Sequence, residues 1–225
     1  MALVPLNLPA GVYRNGTDLQ SQGRWRDSNL VRWFDDTLRP IGGWRTRSDT
    51  ASAGQVRGMH SWIANNSDRW ISAGSYNKLY VYSGAGIQYD ITPTGFTAGN
   101  EDALTPVGYG NSFYGLEYYG TPRQESVTIT PATTWSMDSW GQYLVACSST
   151  DGKVYEWQLS TGTIAAVVAN APVNNRAILV TEERFLMCLG AGGNPRLVQW
   201  SDREDNTVWT PAATNEAGSL ELQTT

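Results

Sequence analysis

Three segments of this chain share one layout, and their spacing limits the folds open to it. "WISAGSYNKLYVYSG" covers residues 70–84, "YLVACSSTDGKVYEWQLSTG" covers 143–162 and "FLMCLGAGGNPRLVQWSD" covers 185–202. Each holds an apolar run ending in small residues, then a turn, a cation, two apolar residues, one variable residue and an aromatic. The closing runs are Lys78-Leu79-Tyr80-Val81-Tyr82, Lys153-Val154-Tyr155-Glu156-Trp157 and Arg196-Leu197-Val198-Gln199-Trp200, and they begin 75 and then 43 residues apart. Short apolar runs bounded by Gly, Asn and Asp-Gly turns are the pattern of β-hairpins. A repeat of roughly 40–50 residues built from them has the length of one β-propeller blade. The interval of 43 fits one blade. The interval of 75 fits a blade carrying an insertion, placed at the Gly/Tyr-rich "GYGNSFYGLEYYGT" of 108–121, which reads as an exposed aromatic loop or long hairpin.

The rest of the chain after Gly58 agrees. "SVTIT", "AILVT" and "RFLMCLG" are further strand signals, and no stretch carries a helical period of useful length. Twenty-three glycines and 10 prolines supply frequent turns, and 25 aromatics, mostly Trp and Tyr, favour strands. The expected class is all-β, with an incomplete set of β-propeller-like blades behind an extended N-terminal arm; a β-sandwich, also built from short strands and regular turns, is the alternative. Counting from residue 51, three to four blades fit, and the final "GSLELQTT" reads as an unfinished strand. A ring could be completed by further blades of a longer chain or by a neighbouring chain.

Residues 1–50 differ from everything that follows. "NLPAGVYRNGT" is turn-rich around Asn15-Gly16. "SNLVRWF" reads as a short strand or a single helical turn, and "LRPIGGW" as extended before its proline, then turning at the glycine pair. Between Arg24 and Trp44 lie three tryptophans, four arginines and no lysine, and Arg45 follows directly. The division expected is therefore an extended Arg/Trp-rich docking arm over 1–50 and blades over 51–225. Charge divides the same way. The net charge of −5 argues against a general nucleic-acid binder. Through Arg69 there are nine basic and six acidic residues, whereas the remainder has seven basic and fifteen acidic. Fourteen of the 16 basic residues are arginine, the residue suited to stacked and bidentate contacts, so the bias fits a docking surface better than simple solubility.

Signals for chemistry are weak, and no enzyme is expected. The single histidine, His60 in "GMHSW", has no evident partner in sequence and reads as structural. Zinc-type spacing of His and Cys is missing. Asp202, Glu204 and Asp205 lie close together, but without the residue ladder of a calcium loop they read as a solvated turn. "GAGGNP" at 190–195 is not followed by a phosphate-binding helix. Asp151-Gly152 reads as a hairpin turn; it differs from the Asp-box of sialidase-type propellers, where one residue separates Asp and Gly. No cofactor and no metal are expected. Cys147 and Cys188 sit in apolar runs and read as buried free thiols. "MALVPLNLPAGVY" lacks the features of a signal peptide, and no window approaches a membrane span.

"LNLPAGVYRNGTDLQSQGRWRDSNLVRWFDDTLRPIGGWRTR", then "GMHSW" and "NKLYVYSG", resembles the start of tail proteins of short-tailed bacteriophages, of the nozzle or tail-hub kind that includes packaged-DNA stabilisation proteins. The resemblance covers residues 5–84 and rests on the Arg/Trp arm, "RPIGGW" and "KLYVY". It implies a virion structural protein, made in the bacterial host cytoplasm, of which six copies form a ring below the portal and adaptor. Such a ring would continue the channel for double-stranded DNA, hold the packaged genome until ejection and adjoin a tail fibre or tailspike. Proteins of this kind are usually longer than this chain. Interfaces favour Trp and Arg as anchors, so Trp25, Trp33 and Trp44 are expected to pack within or between subunits, and Arg24, Arg26, Arg32, Arg39 and Arg45 to contact neighbouring chains or order the arm. The other reading is an arm that caps its own first blade. The acidic remainder suits a channel wall that repels phosphate. The rival function is a carbohydrate- or receptor-binding β-propeller, whose exposed Trp and Tyr would stack on sugar rings.

Overall fold

The computed structural model describes residues 9–43, 45–103 and 130–223. The chain divides into two compact units between Thr46 and Arg47. In the first, turns surround one hairpin, β1 (Val31–Phe34) and β2 (Thr37–Pro40). The arm expected to be extended thus contains a paired ribbon. The reason is local: Asp35 and Asp36 both take left-handed φ, 47° and 55°. That makes a two-residue turn whose twist matches the flanking strands, and short polar side chains tolerate the conformation.

The second unit holds three four-stranded antiparallel meanders. The first sheet is β3 (Met59–Ile63), β4 (Arg69–Gly74), β5 (Leu79–Ser83) and β6 (Gln88–Asp90). The second is β7 (Trp135–Trp140), β8 (Tyr143–Ser148), β9 (Val154–Trp157) and β10 (Ala166–Val167). The third is β11 (Ala177–Val180), β12 (Leu186–Leu189), β13 (Leu197–Trp200) and β14 (Gly218–Glu221). The repeated run of the sequence is the third strand of each sheet. The segment that read as an unfinished strand is β14, which pairs fully with β13 from Leu197↔Glu221 to Trp200↔Gly218. The 108–121 insertion and most of "SVTIT" lie outside the described residues. Among the described residues no helix is long and apolar enough to cross a membrane. The class is all-β and the arrangement blade-like: sheets follow one another face to face, and β7 adjoins the first strands β3 and β11 on either side.

Two apolar seams hold the three sheets together. Along β8 the side chains alternate between them: Leu144 and Ala146 face the first sheet with Trp62, Trp70, Leu79 and Val81. Val145 and Cys147 face the third with Ile178, Leu186 and Cys188. This is why β8 reads as a continuous apolar run, since both faces of its sheet are buried. Each buried Leu, Ile or Val among them contributes about 1.5–3 kcal/mol on burial. β7 supplies the polar part of the second seam. Ser136 Oγ donates to Ile178 O at 2.7 Å and accepts from Ile178 N at 3.1 Å, and Asp138 Oδ2 accepts from Val180 N at 2.8 Å. These bonds satisfy the open backbone edge of β11, which would otherwise be buried unpaired.

Cys147 and Cys188 are free and buried in the second seam. Burial, with a smaller effect from Asp151, pushes the Cys147 thiol up from 9.0 to about 12, and burial, with a smaller effect from Cys147, raises Cys188 as well. Both folded-state values lie above the unfolded ones. The stabilisation is therefore complete below the ordinary thiol range and is lost as pH rises from 9.0 towards 12. We expect neither thiol to react with iodoacetamide at neutral pH until denaturant opens the seam, and the double variant Cys147→Val/Cys188→Val to lose less stability than wild type above pH 9.0 in urea titrations.

Candidate docking surface

The arm hairpin sorts its residues by face. Val31 and Trp33 are half-buried, whereas Arg32 and Phe34 are exposed, the alternation a strand imposes. Register places Arg32 opposite Arg39 and Trp33 opposite Leu38. One face thus carries two arginines beside Phe34, with the Arg39 guanidinium 4.8 Å from the Phe34 ring centre. The inner face closes on Trp25, whose ring lies 6.0 Å from Trp33 at a tilt of 59°. Trp25 is held by a parallel bridge to Val12 and by Tyr13 N donating to its carbonyl at 2.8 Å. Arg24 lies 5.3 Å from the Tyr13 ring centre, Arg14 pairs with Asp27 at 2.6 Å, and Arg26 pairs with Asp18.

The expected site residues separate accordingly. Trp25 and Trp33 are brought together; Arg32 and Arg39 form one exposed face; Arg24 and Arg26 are engaged within the arm; Arg45 is exposed; Trp44 lies outside the described residues. Phe34 and Tyr13 were not singled out in sequence, although the alternation of "VRWF" marks Phe34 as sharing the face of Arg32.

The arm unit is small for independent stability. An isolated two-stranded hairpin is marginal in water, and units below about 70–80 residues usually need staples. The arm unit ends at Thr46, and both cysteines lie in the other unit. Leu30, Phe34 and Ile41 are exposed. The indole N–H groups of Trp25 and Trp33 are buried with no acceptor among the described residues, each an expense of about 1–3 kcal/mol.

No family model, no curated protein and no solved structure matches this chain.

The other residues weighed for chemistry take structural positions. His60 Nε2 lies 2.8 Å from Ser139 Oγ, and Trp62 Nε1 donates to Gln142 O at 2.9 Å, so both residues tie β3 to the second sheet. Burial lowers the His60 pKa against a smaller upward pull from Asp138, which favours the neutral ring in this contact. The acidic turn near 202–205 caps its own backbone. Asp205 Oδ1 accepts from Thr207 N at 2.8 Å and Thr207 Oγ1 at 2.6 Å, and these bonds hold its carboxyl below the usual range. Asp202 Oδ1 accepts from Arg203 N and Glu216 N, both at 2.8 Å.

Proposed function

We propose that this chain is a structural, non-catalytic subunit of a short-tailed phage tail, of the nozzle or hub kind, which docks through its arm and contributes blades to the wall of a DNA channel. The observation that carries the reading is the arm: a separate unit, small for a core of its own, presenting Arg32, Phe34 and Arg39 on one face. Such a surface gains affinity by stacking and by bidentate contacts to carboxylates. The blades supply what a wall needs, a rigid scaffold with tightly packed seams, and the negative balance beyond Arg69 disfavours adhesion of DNA in transit.

The test is co-sedimentation with a portal–adaptor ring of the same virion. Deleting residues 1–46 is expected to abolish it, and Arg32→Glu with Arg39→Glu to weaken it by about 10–100-fold, the range of an interface anchor. Equal binding by the truncated and intact chains would overturn the reading.

A further inference from the structure

The two seams share a construction, and the outermost faces of the sheet series repeat it without a partner sheet among the described residues. The forward face of each sheet, the one turned towards the next sheet in the chain, packs on the rear face of its successor. The third sheet's rear face is closed, with Ile178, Leu186 and Cys188 buried. Its forward face carries Leu179, Met187, Leu189, Val198 and Trp200, all half-buried, and Leu220 at 58 % exposure. The first sheet's rear face offers Met59 and Ile63 at 66 % and 60 % exposure, with Ile71 and Tyr82 behind them. Residues 47–57 run along the β5–β6 side of that face, where Ala53 N donates to Tyr80 Oη at 3.2 Å and Arg47 reaches Gly84 O.

Charge is complementary at one end of these two faces. The forward face of the third sheet has a hollow of about 240 Å³ lined by Thr181, Glu183, Phe185, Met187 and Trp200. At the corresponding end of the first sheet a hollow of about 400 Å³ is lined by the rear-face residues Ile63, Arg69 and Ile71 with Arg47, and by Trp62 and Trp70 of the other face. Glu183 lies in the turn between the first and second strands of its sheet, and Arg69 opens the second strand after the same turn, so the two charges mark the same end of their blades. The second seam already uses that position: Arg184, from the first turn of the following sheet, lies 5.2 Å from the ring centre of Trp140 in the preceding one.

We infer that the forward face of the third sheet binds the rear face of the first sheet of a second copy, with Arg69 of one chain set against Glu183 of the other. Two such contacts are related by a two-fold axis and close on themselves. The described residues of two copies bring six four-stranded sheets, within the four to eight blades of a propeller. This pairing uses the sheets and not the arm, so it stands or falls separately from the tail reading.

The test is light scattering of the full chain at micromolar concentration, without any other phage protein. A mass twice 24.7 kDa is expected. The side chains of Arg69 and Glu183 are exposed and make no hydrogen bond or ion pair among the described residues, so their variants should fold. Glu183→Arg alone and Arg69→Glu alone are expected to weaken pairing at least tenfold, and the two together to recover most of it. Arg32→Glu with Arg39→Glu should leave the dimer intact. A monomer at these concentrations overturns the inference. So does a dimer indifferent to both single reversals, a double reversal that recovers nothing, or a dimer lost through the arm variants instead.

Discussion

Replacing Trp135 with alanine is expected to lower the unfolding free energy by about 3–5 kcal/mol, the cost of emptying a well-packed aromatic site. Trp135 opens the second sheet and anchors it to the first. Its indole N–H donates to Ser75 O at 2.7 Å, and its ring stacks on Phe96 at 5.3 Å. The ring lies directly on the backbone of Gly74: a Cβ there would come within 2.4 Å of it. The site is thus made by absence of a side chain on one strand and a large one on the next. Urea unfolding is the measurement. Trp135→Phe should retain much of the packing and lose mainly the hydrogen bond, about 1 kcal/mol. Gly74→Val should destabilise by a comparable mechanism from the other side, since the ring must move or the sheets part. An unchanged midpoint for Trp135→Ala would mean that the seam is not held as described.

Asp151→Ala is expected to cost about 3 kcal/mol, in the range of hydrogen bonds to a charged group left broken in the interior. Its side chain is 2 % exposed and accepts from the Tyr155 hydroxyl, from Thr97 N at 3.3 Å and from Lys153 Nζ at 3.4 Å. It therefore joins its own hairpin to the connection that leaves the first sheet. Burial first, then the bond and charge of Asp151, push the Tyr155 phenol well above its ordinary pKa, so the hydroxyl remains a donor across the accessible pH range. Removing the carboxylate leaves that donor buried and alone. Removing both partners is gentler, so Asp151→Ala/Tyr155→Phe should be less destabilised than the sum of the single variants, a coupling that thermal unfolding can read. Strict additivity would place the Asp151 contribution elsewhere.

These residues show where sequence was legible. The third strand of every sheet was visible because it carries a cation, an apolar pair and an aromatic in fixed order. β8 and β12 were visible because burial on both faces, or nearly so, demands an unbroken apolar run. The first strands β3 and β7 were not, although β11 was, as "AILVT". β7, "WSMDSW", mixes Trp with Ser and Asp because its polar side chains serve the edge of β11 in the neighbouring sheet, a need invisible from within β7. β14 was mistaken for an incomplete strand because only pairing to β13, and the Trp200 ring over Gly218, makes it the fourth member of a sheet. Asp151 looked like a turn residue, and it is one; its contact with Thr97 lies 54 positions away along the chain. The arm read as extended because two-residue Asp-Asp turns are a weaker hairpin signal than Asn-Gly.

By itself the sequence determined the all-β class, the blade-length repeat, the buried state of both thiols and the contrast between an Arg/Trp arm and an acidic remainder. All of these follow from local alternation, turn chemistry and composition, which act over a few residues. Only the tertiary structure decided which glycine faces which tryptophan, which carboxylate caps which distant strand edge, and which sheet faces remain open. Those depend on register and on the order in which sheets stack, and a period of two fixes which side a residue takes without saying what will be found there.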